Sequence, residues 1–166
     1  MRTHGFHLFV IALTIGAAVI GWRDTTLVTV REVEIPAQQL ARDVTVLHVS
    51  DLHGARFGER QADIARLLEG RTFDAIVING DHVPSFEADP TPALELLTVL
   101  EQHAPVVFVT RGNHDTPAVI EALTAQGATP LTTGGNGVRF ATDAGVVVAA
   151  PAIGAAELPD DAVVVL

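Results

Sequence analysis

Three short polar clusters in the chain carry residue types that do chemistry: Asp51-Leu52-His53, Gly80-Asp81 and Gly112-Asn113-His114-Asp115. A carboxylate and an imidazole two residues apart at a strand end project to the same side. That donor pair suits a borderline divalent ion such as Mn, Fe or Zn. Asp81 follows a glycine that lets the backbone turn closely, and its carboxylate can bridge two ions. Asn113 adds a neutral amide oxygen as a further ligand. His114 and Asp115 are adjacent and read as an acid with its orienting carboxylate. Two ions about 3.5–4 Å apart would clamp a phosphoryl oxygen and turn a bridging water into hydroxide. Taken singly, each cluster has a plainer reading. D-x-H is a common turn, Gly-Asp an ordinary loop, and Asn and Asp also cap helices.

Order and placement raise the signal. Each cluster follows an apolar run: Val44–Ser50, Ala75–Asn79 and Pro105–Val109. The spacing is about thirty residues, the length of a βαβ unit. Between the runs lie helical patterns. Glu59–Glu69 carries Ile64, Leu67 and Leu68 at helical spacing, with Gly70 after it; Thr91-Pro92 opens a second helix with Leu94, Leu97 and Leu100 on one face. Thr116-Pro117 opens a third, Pro117–Gln126, closed by Gly127. Strands alternating with helices imply a parallel sheet with right-handed crossovers. The three clusters then share its carboxyl edge, where open α/β sheets bind ligands. Beyond Gly127, Val138–Ala141 and Val146–Ala150 read as a β-hairpin, and Ala162–Leu166 as a further strand.

The chain has 166 residues, enough for one domain with a buried core. A net charge of −10 argues against a nucleic-acid partner, which asks for a basic face. Bound cations would let an acidic protein still meet a phosphorylated substrate. There is no cysteine, so disulfides, thiolate ligands and cysteine nucleophiles are excluded. Phe6–Trp22 is apolar apart from His7 and Thr14 and is flanked by Arg2 and Arg23. It is read as an uncleaved membrane anchor at the lower length limit, against a signal peptide or a buried helix. The division expected is an anchor at 1–24, a connector at 25–42 and a globular domain at 43–166. Within the connector, Leu27–Ile35 alternates and ends at Pro36, as a strand would. The localisation expected is membrane, single-pass, with the domain placed on the extracytoplasmic side.

The ordered set D-x-H, G-D, G-N-H-D over roughly Val44 to Gly127 resembles the calcineurin-like metallophosphoesterase superfamily. With the anchor, the chain looks most like its small bacterial membrane-associated branch, some members of which act on phosphoesters or on UDP-diacylglucosamine pyrophosphate. The resemblance implies an αββα sandwich of two mixed sheets, of which this chain supplies the βαβ-type half. It makes Asp51, His53 and Asp81 ligands of one metal, with Asp81 and Asn113 serving a second and His114 acting at the leaving group. The implied cofactors are two divalent ions, Mn, Fe or Zn. The implied substrate is a phosphorylated small molecule or a lipid-linked one. The family also places histidines downstream, including G-H-x-H, and no histidine follows His114 here. The chain is therefore read as a C-terminally incomplete phosphoesterase, with a non-catalytic, membrane-tethered remnant as the alternative. A metal-free nucleotide-binding domain would want a glycine-rich first loop, which Gly54–Gly58 supplies poorly.

Other polar residues are weighed as structural. His48 faces away from Leu47 and Val49, His82 is a loop histidine beside the site, and His103 ends a helix where the dipole favours it. His4 and His7 flank the anchor. Asp74 closes a turn, and Asp160 and Asp161 lie in a loop. Arg56 and Arg111 sit near the site edge as candidates to hold phosphate oxygens, Arg111 the better placed of the two.

Overall fold

The computed structural model describes residues 9–18, 21, 28–36, 40–131, 138–142, 145–149 and 162–165. The chain divides into two compact units, Met1–Arg31 and Glu32–Leu166.

In the first unit, residues 9–18 form helix α1, along which Phe9, Ile11, Leu13 and Ile15 are exposed. Phe6–Leu8, Val19, Ile20 and Trp22 of the expected anchor lie outside the described residues. Among the described residues no helix is long and apolar enough to cross a membrane.

The second unit is built on a parallel four-stranded sheet in the order β1 (Val46–Ser50), β2 (Ala75–Asn79), β3 (Val107–Thr110), β4 (Thr129–Leu131). Ala75–Ile78 and all of β3 are buried, as expected of a parallel sheet covered on both faces. Alternation splits their side chains. Ile76, Ile78, Val107 and Val109 share one face, while Ala75, Val77, Phe108 and Leu131 cluster on the other. The edge strand β1 is only partly covered, and His48 is exposed on it. A second, mixed sheet joins β5 (Val138–Thr142) antiparallel to β6 (Gly145–Ala149), and β6 parallel to β7 (Ala162–Val165). The expected hairpin and final strand are both present.

Helices carry the crossovers. In α3 (Thr91–Leu100), Ala93, Leu96, Leu97 and Leu100 are buried and form its packing face; Leu94 stands half-covered beside them. The capping oxygen is that of Asp89, which accepts from the Thr91 amide at 3.0 Å and the Thr91 hydroxyl at 2.6 Å. Helix α4 (Pro117–Gln126) has the expected limits, with the Thr116 hydroxyl accepting from Val119 N at 3.4 Å and Gly127 ending it at φ +140°.

Three expectations need correction. Residues 28–36 form no strand, and Val33 and Ile35 are exposed: alternation makes a strand only where a neighbour completes the ladder. Glu59–Glu69 is not one helix. It is a 3-10 turn (Glu59–Gln61) followed by α2 (Ala62–Leu67), with Arg60 at φ +50° and Gln61 at φ +63°. The cause is the fully buried Gln61 side chain. It donates to the Ala55 carbonyl at 2.9 Å and the Pro92 carbonyl at 3.1 Å, and accepts from Phe57 N at 2.9 Å. Strand β4 was not expected, since three residues around a proline carry little pattern.

At the amino edge of the sheet, Asp74 ties β1 to β2. Its carboxylate accepts from Thr45 N at 2.8 Å and from both Arg42 Nη atoms, at 2.8 and 3.4 Å. The Arg42 guanidinium holds the Asp74 carboxyl below its ordinary range, with the Thr45 amide helping and partial burial opposing. A folded-state pKa below the unfolded one stabilises the fold above the unfolded value and ceases to do so as pH falls through the folded one. Asp74→Asn should therefore lower unfolding free energy by about 1 kcal/mol near neutral pH, Arg42 being half exposed. The difference from wild type should shrink below about pH 4, as read by urea titrations across that range.

Candidate metal centre

The sheet register aligns the strand ends. Ser50 pairs with Asn79, and Asn79 with Thr110, so Asp51, Gly80 and Arg111 leave neighbouring strands at one level. The loops then turn sharply. Asp51 (φ +54°), His53 (φ +47°) and Asp81 (φ +50°) all occupy the left-handed region, each at a cost of about 1–3 kcal/mol. Such a cluster persists only where the surroundings hold it. His53 N donates to the Asp81 carbonyl at 2.8 Å, and Gly54 N to the His82 carbonyl at 3.0 Å. Gly80 and Gly112 let the second and third loops touch. A Cβ on Gly80 would come within 2.9 Å of Gly112 Cα, and one on Gly112 would overlap the Asp81 carboxylate and amide nitrogen.

This packing brings together ligand atoms of His53, Asp81 and His114, all within 4.8 Å of one another. The His53 and His114 rings meet edge to face, with centroids 5.1 Å apart. Asp51 Oδ1 and Asp81 Oδ2 each lie 3.9 Å from His53 Nε2. Two imidazoles and two carboxylates form a donor set that fits a divalent ion. His53, Asp81 and His114 each offer one ligand atom to the cluster, and Asp51 stands beside His53. The His114 ring therefore lies beside His53 and Asp81. Asn113 is exposed on the same loop. Beside the cluster, and sharing Asp51 and Asp81 with it, is an open cavity of about 220 Å³. Asn79, Thr110 and Arg111 also line it.

Asp115 is placed differently from its expected role. It is fully buried, and its carboxylate faces backbone amides: Oδ1 accepts from His82 N at 2.8 Å and Val83 N at 3.3 Å, and Oδ2 from Gly112 N at 2.8 Å. It thereby joins the loop carrying Asp81 to the loop carrying His114. In return, Asp81 Oδ1 accepts from His114 N at 3.0 Å. His82 is buried too. Its Nε2 lies 2.9 Å from the Thr110 carbonyl, which can only accept, so Nε2 carries the proton, and buried Nδ1 has no partner.

Sequence reasoning passed over Asn79 and Thr110 as the ends of apolar runs. Their signal was there: Asn79 closes its run directly before Gly80, and Thr110 follows its run two residues before Gly112. The Thr110 hydroxyl donates to Asn79 Oδ1 at 2.6 Å.

If Asp115 is the clamp between loops, Asp115→Asn should lower stability by about 3 kcal/mol. The amide keeps one acceptor but turns an N–H group toward a backbone N–H, and bonds to a charged group are the strong ones. Denaturant titration measures this directly, and a change below about 0.5 kcal/mol would remove Asp115 from that role.

Among solved structures, the chain is similar to a phosphopantetheinyl hydrolase (PptH) from Mycobacterium tuberculosis, at 18% identity and a TM-score of 0.43. The match covers 66% of this chain and 42% of that one, so the chain spans less than half of that protein's length. No curated protein matches the chain. The family model for the calcineurin-like phosphoesterases matches residues 44–150, which contain every strand end and loop of the site. The chain belongs to the calcineurin-like phosphoesterase family, whose members use divalent metals.

Proposed function

We propose that the protein is a metal-dependent hydrolase of phosphoester or pyrophosphate bonds. The observation that carries this is the convergence of His53, Asp81 and His114 donor atoms within 4.8 Å, with Asp51 alongside, at the carboxyl edge of a parallel sheet. Asp51, His53 and Asp81 are proposed as the primary ligands, with Asp81 shared between two ions and Asn113 reaching the second. Bound divalent ions would supply Lewis acidity to a phosphoryl oxygen and a water of lowered pKa. Manganese is the ion proposed.

The chain's own residues do the rest. The Asp81 carboxylate is held by the His114 amide, so it meets the site already oriented. The His114 ring, half-buried against His53, is proposed to stand near the leaving-group oxygen and give it a proton. Asp115 does not reach that ring as an orienter; it positions the backbone from which His114 projects. The substrate class proposed is a phosphorylated small molecule or a lipid-linked one. The lipid-linked case is tied to an N-terminal anchor, supported by the apolar Phe6–Trp22 run and the exposed apolar side chains of α1.

Two measurements test these readings. Removing residues 1–24 should move the protein from the membrane fraction to the soluble one; an intact chain already soluble after high-speed centrifugation would remove the anchor. Hydrolysis of bis-p-nitrophenyl phosphate should require Mn and stop with EDTA. Asp81→Asn should lower it by about 10²-fold or more, given how steeply rate depends on ligand placement. Turnover indifferent to Asp81→Asn would overturn the assigned site, and metal binding without any turnover is what a non-catalytic remnant would show.

A further inference from the structure

We propose that Arg111 is the substrate's phosphoryl clamp, its guanidinium gripping phosphate oxygens at the mouth of the cavity beside the metal cluster. This assignment rests on the phosphoesterase reading above. Three observations carry it. Arg111 is the one cationic side chain among the residues lining that cavity, whose other charged members are Asp51 and Asp81. It is also held in place: Nε donates to the Asp115 carbonyl at 3.0 Å, a bond that spends one donor and leaves both Nη groups for another partner. Finally, among the described residues no carboxylate pairs with Arg111, although the chain carries 20 acidic residues against 10 basic ones. Arg56, the other arginine near the site edge, behaves in the opposite way. Arg56 lies 3.3 Å from Glu95 and 4.0 Å from Asp89, and it is thereby neutralised within the fold.

A tethered guanidinium whose NH2 groups have no partner among the described residues presents the planar fork that matches two phosphoryl oxygens. Its position at the head of the Gly112–Asp115 loop fixes it relative to Asp81 and His114, because the Asp115 carboxylate binds that loop to the one carrying Asp81. Asn79 lines the cavity as well. Its Oδ1 is taken by the Thr110 hydroxyl, so the polar group it has left is a donor, again suited to an anion. Such a clamp contributes to binding in ground and transition states alike, which appears in KM rather than kcat.

The test uses the Mn-saturated protein and two probes, inorganic phosphate by titration calorimetry and bis-p-nitrophenyl phosphate by initial rates. Arg111→Ala should weaken phosphate binding by about tenfold or more. It should raise KM by a similar factor and leave kcat within about twofold. Arg111→Lys, which keeps the charge without the fork, should fall between the two. If Arg111→Ala unfolds, Arg111→Gln keeps the length and should show the same loss of phosphate affinity. Equal phosphate affinity in wild type and variant, or no phosphate binding by wild type, overturns the clamp. A wild type that turns the ester over with the KM of Arg111→Ala also overturns it, leaving the phosphoesterase reading intact. Phosphate bound through Arg111 without ester turnover does the reverse.

Discussion

The site depends on a reciprocal exchange between two loops. Asp115, from the loop after β3, accepts with its carboxylate from the amides of His82 and Val83 in the loop after β2. Asp81, from the loop after β2, accepts in turn from the amide of His114. Each carboxylate is an acceptor only, and each faces N–H groups that the end of a strand has left without a ladder partner. Asp115 is fully buried, so water cannot stand in for these bonds. The exchange sets the spacing between the loops, and with it the distance from Asp81 to His114.

Strain follows from the same close approach. Asp51, His53 and Asp81 take left-handed backbone angles that non-glycine residues avoid, while Gly80 and Gly112 are glycines because their neighbours leave no room for a Cβ. The division is chemical. Where the loops touch backbone to backbone, glycine is required; where a donor must be presented to the cluster, the chain keeps a functional side chain and tolerates the angle. Packing of the buried strands β2 and β3 beneath supplies the rigidity that makes this tolerable.

Charge is distributed with equal economy. A chain of net charge −10 gathers Asp51 and Asp81 around His53, an arrangement that favours a bound cation. Four of the described arginines pair with carboxylates. Arg42 holds Asp74, Arg56 holds Glu95, Arg66 holds Asp63 and Arg71 holds Glu32. Arg111 instead donates through Nε to the Asp115 carbonyl, and no carboxylate among the described residues pairs with it.

Local pattern was enough for the elements and for the order of the chemistry. The apolar runs at Ala75–Asn79 and Pro105–Val109, the Thr116-Pro117 start and the Gly127 stop are signals carried within a few residues, and β2, β3 and α4 follow them. So are the three polar clusters, since a parallel sheet with short crossovers puts successive strand ends on one edge. The rest came from contacts between residues some thirty positions apart. The register Ser50–Asn79–Thr110 set the level of the loops. Asp115 sits next to His114 in sequence, yet its partners are His82 and Val83 across the loop. Gln61 broke a helix that its spacing supports, because Ala55, Phe57 and Pro92 offered its buried amide a full set of partners. Val33 and Ile35 alternate as strand residues do but found no ladder. Periodicity states which face of an element is apolar; only the folded chain determines which distant backbone group a buried polar atom must satisfy.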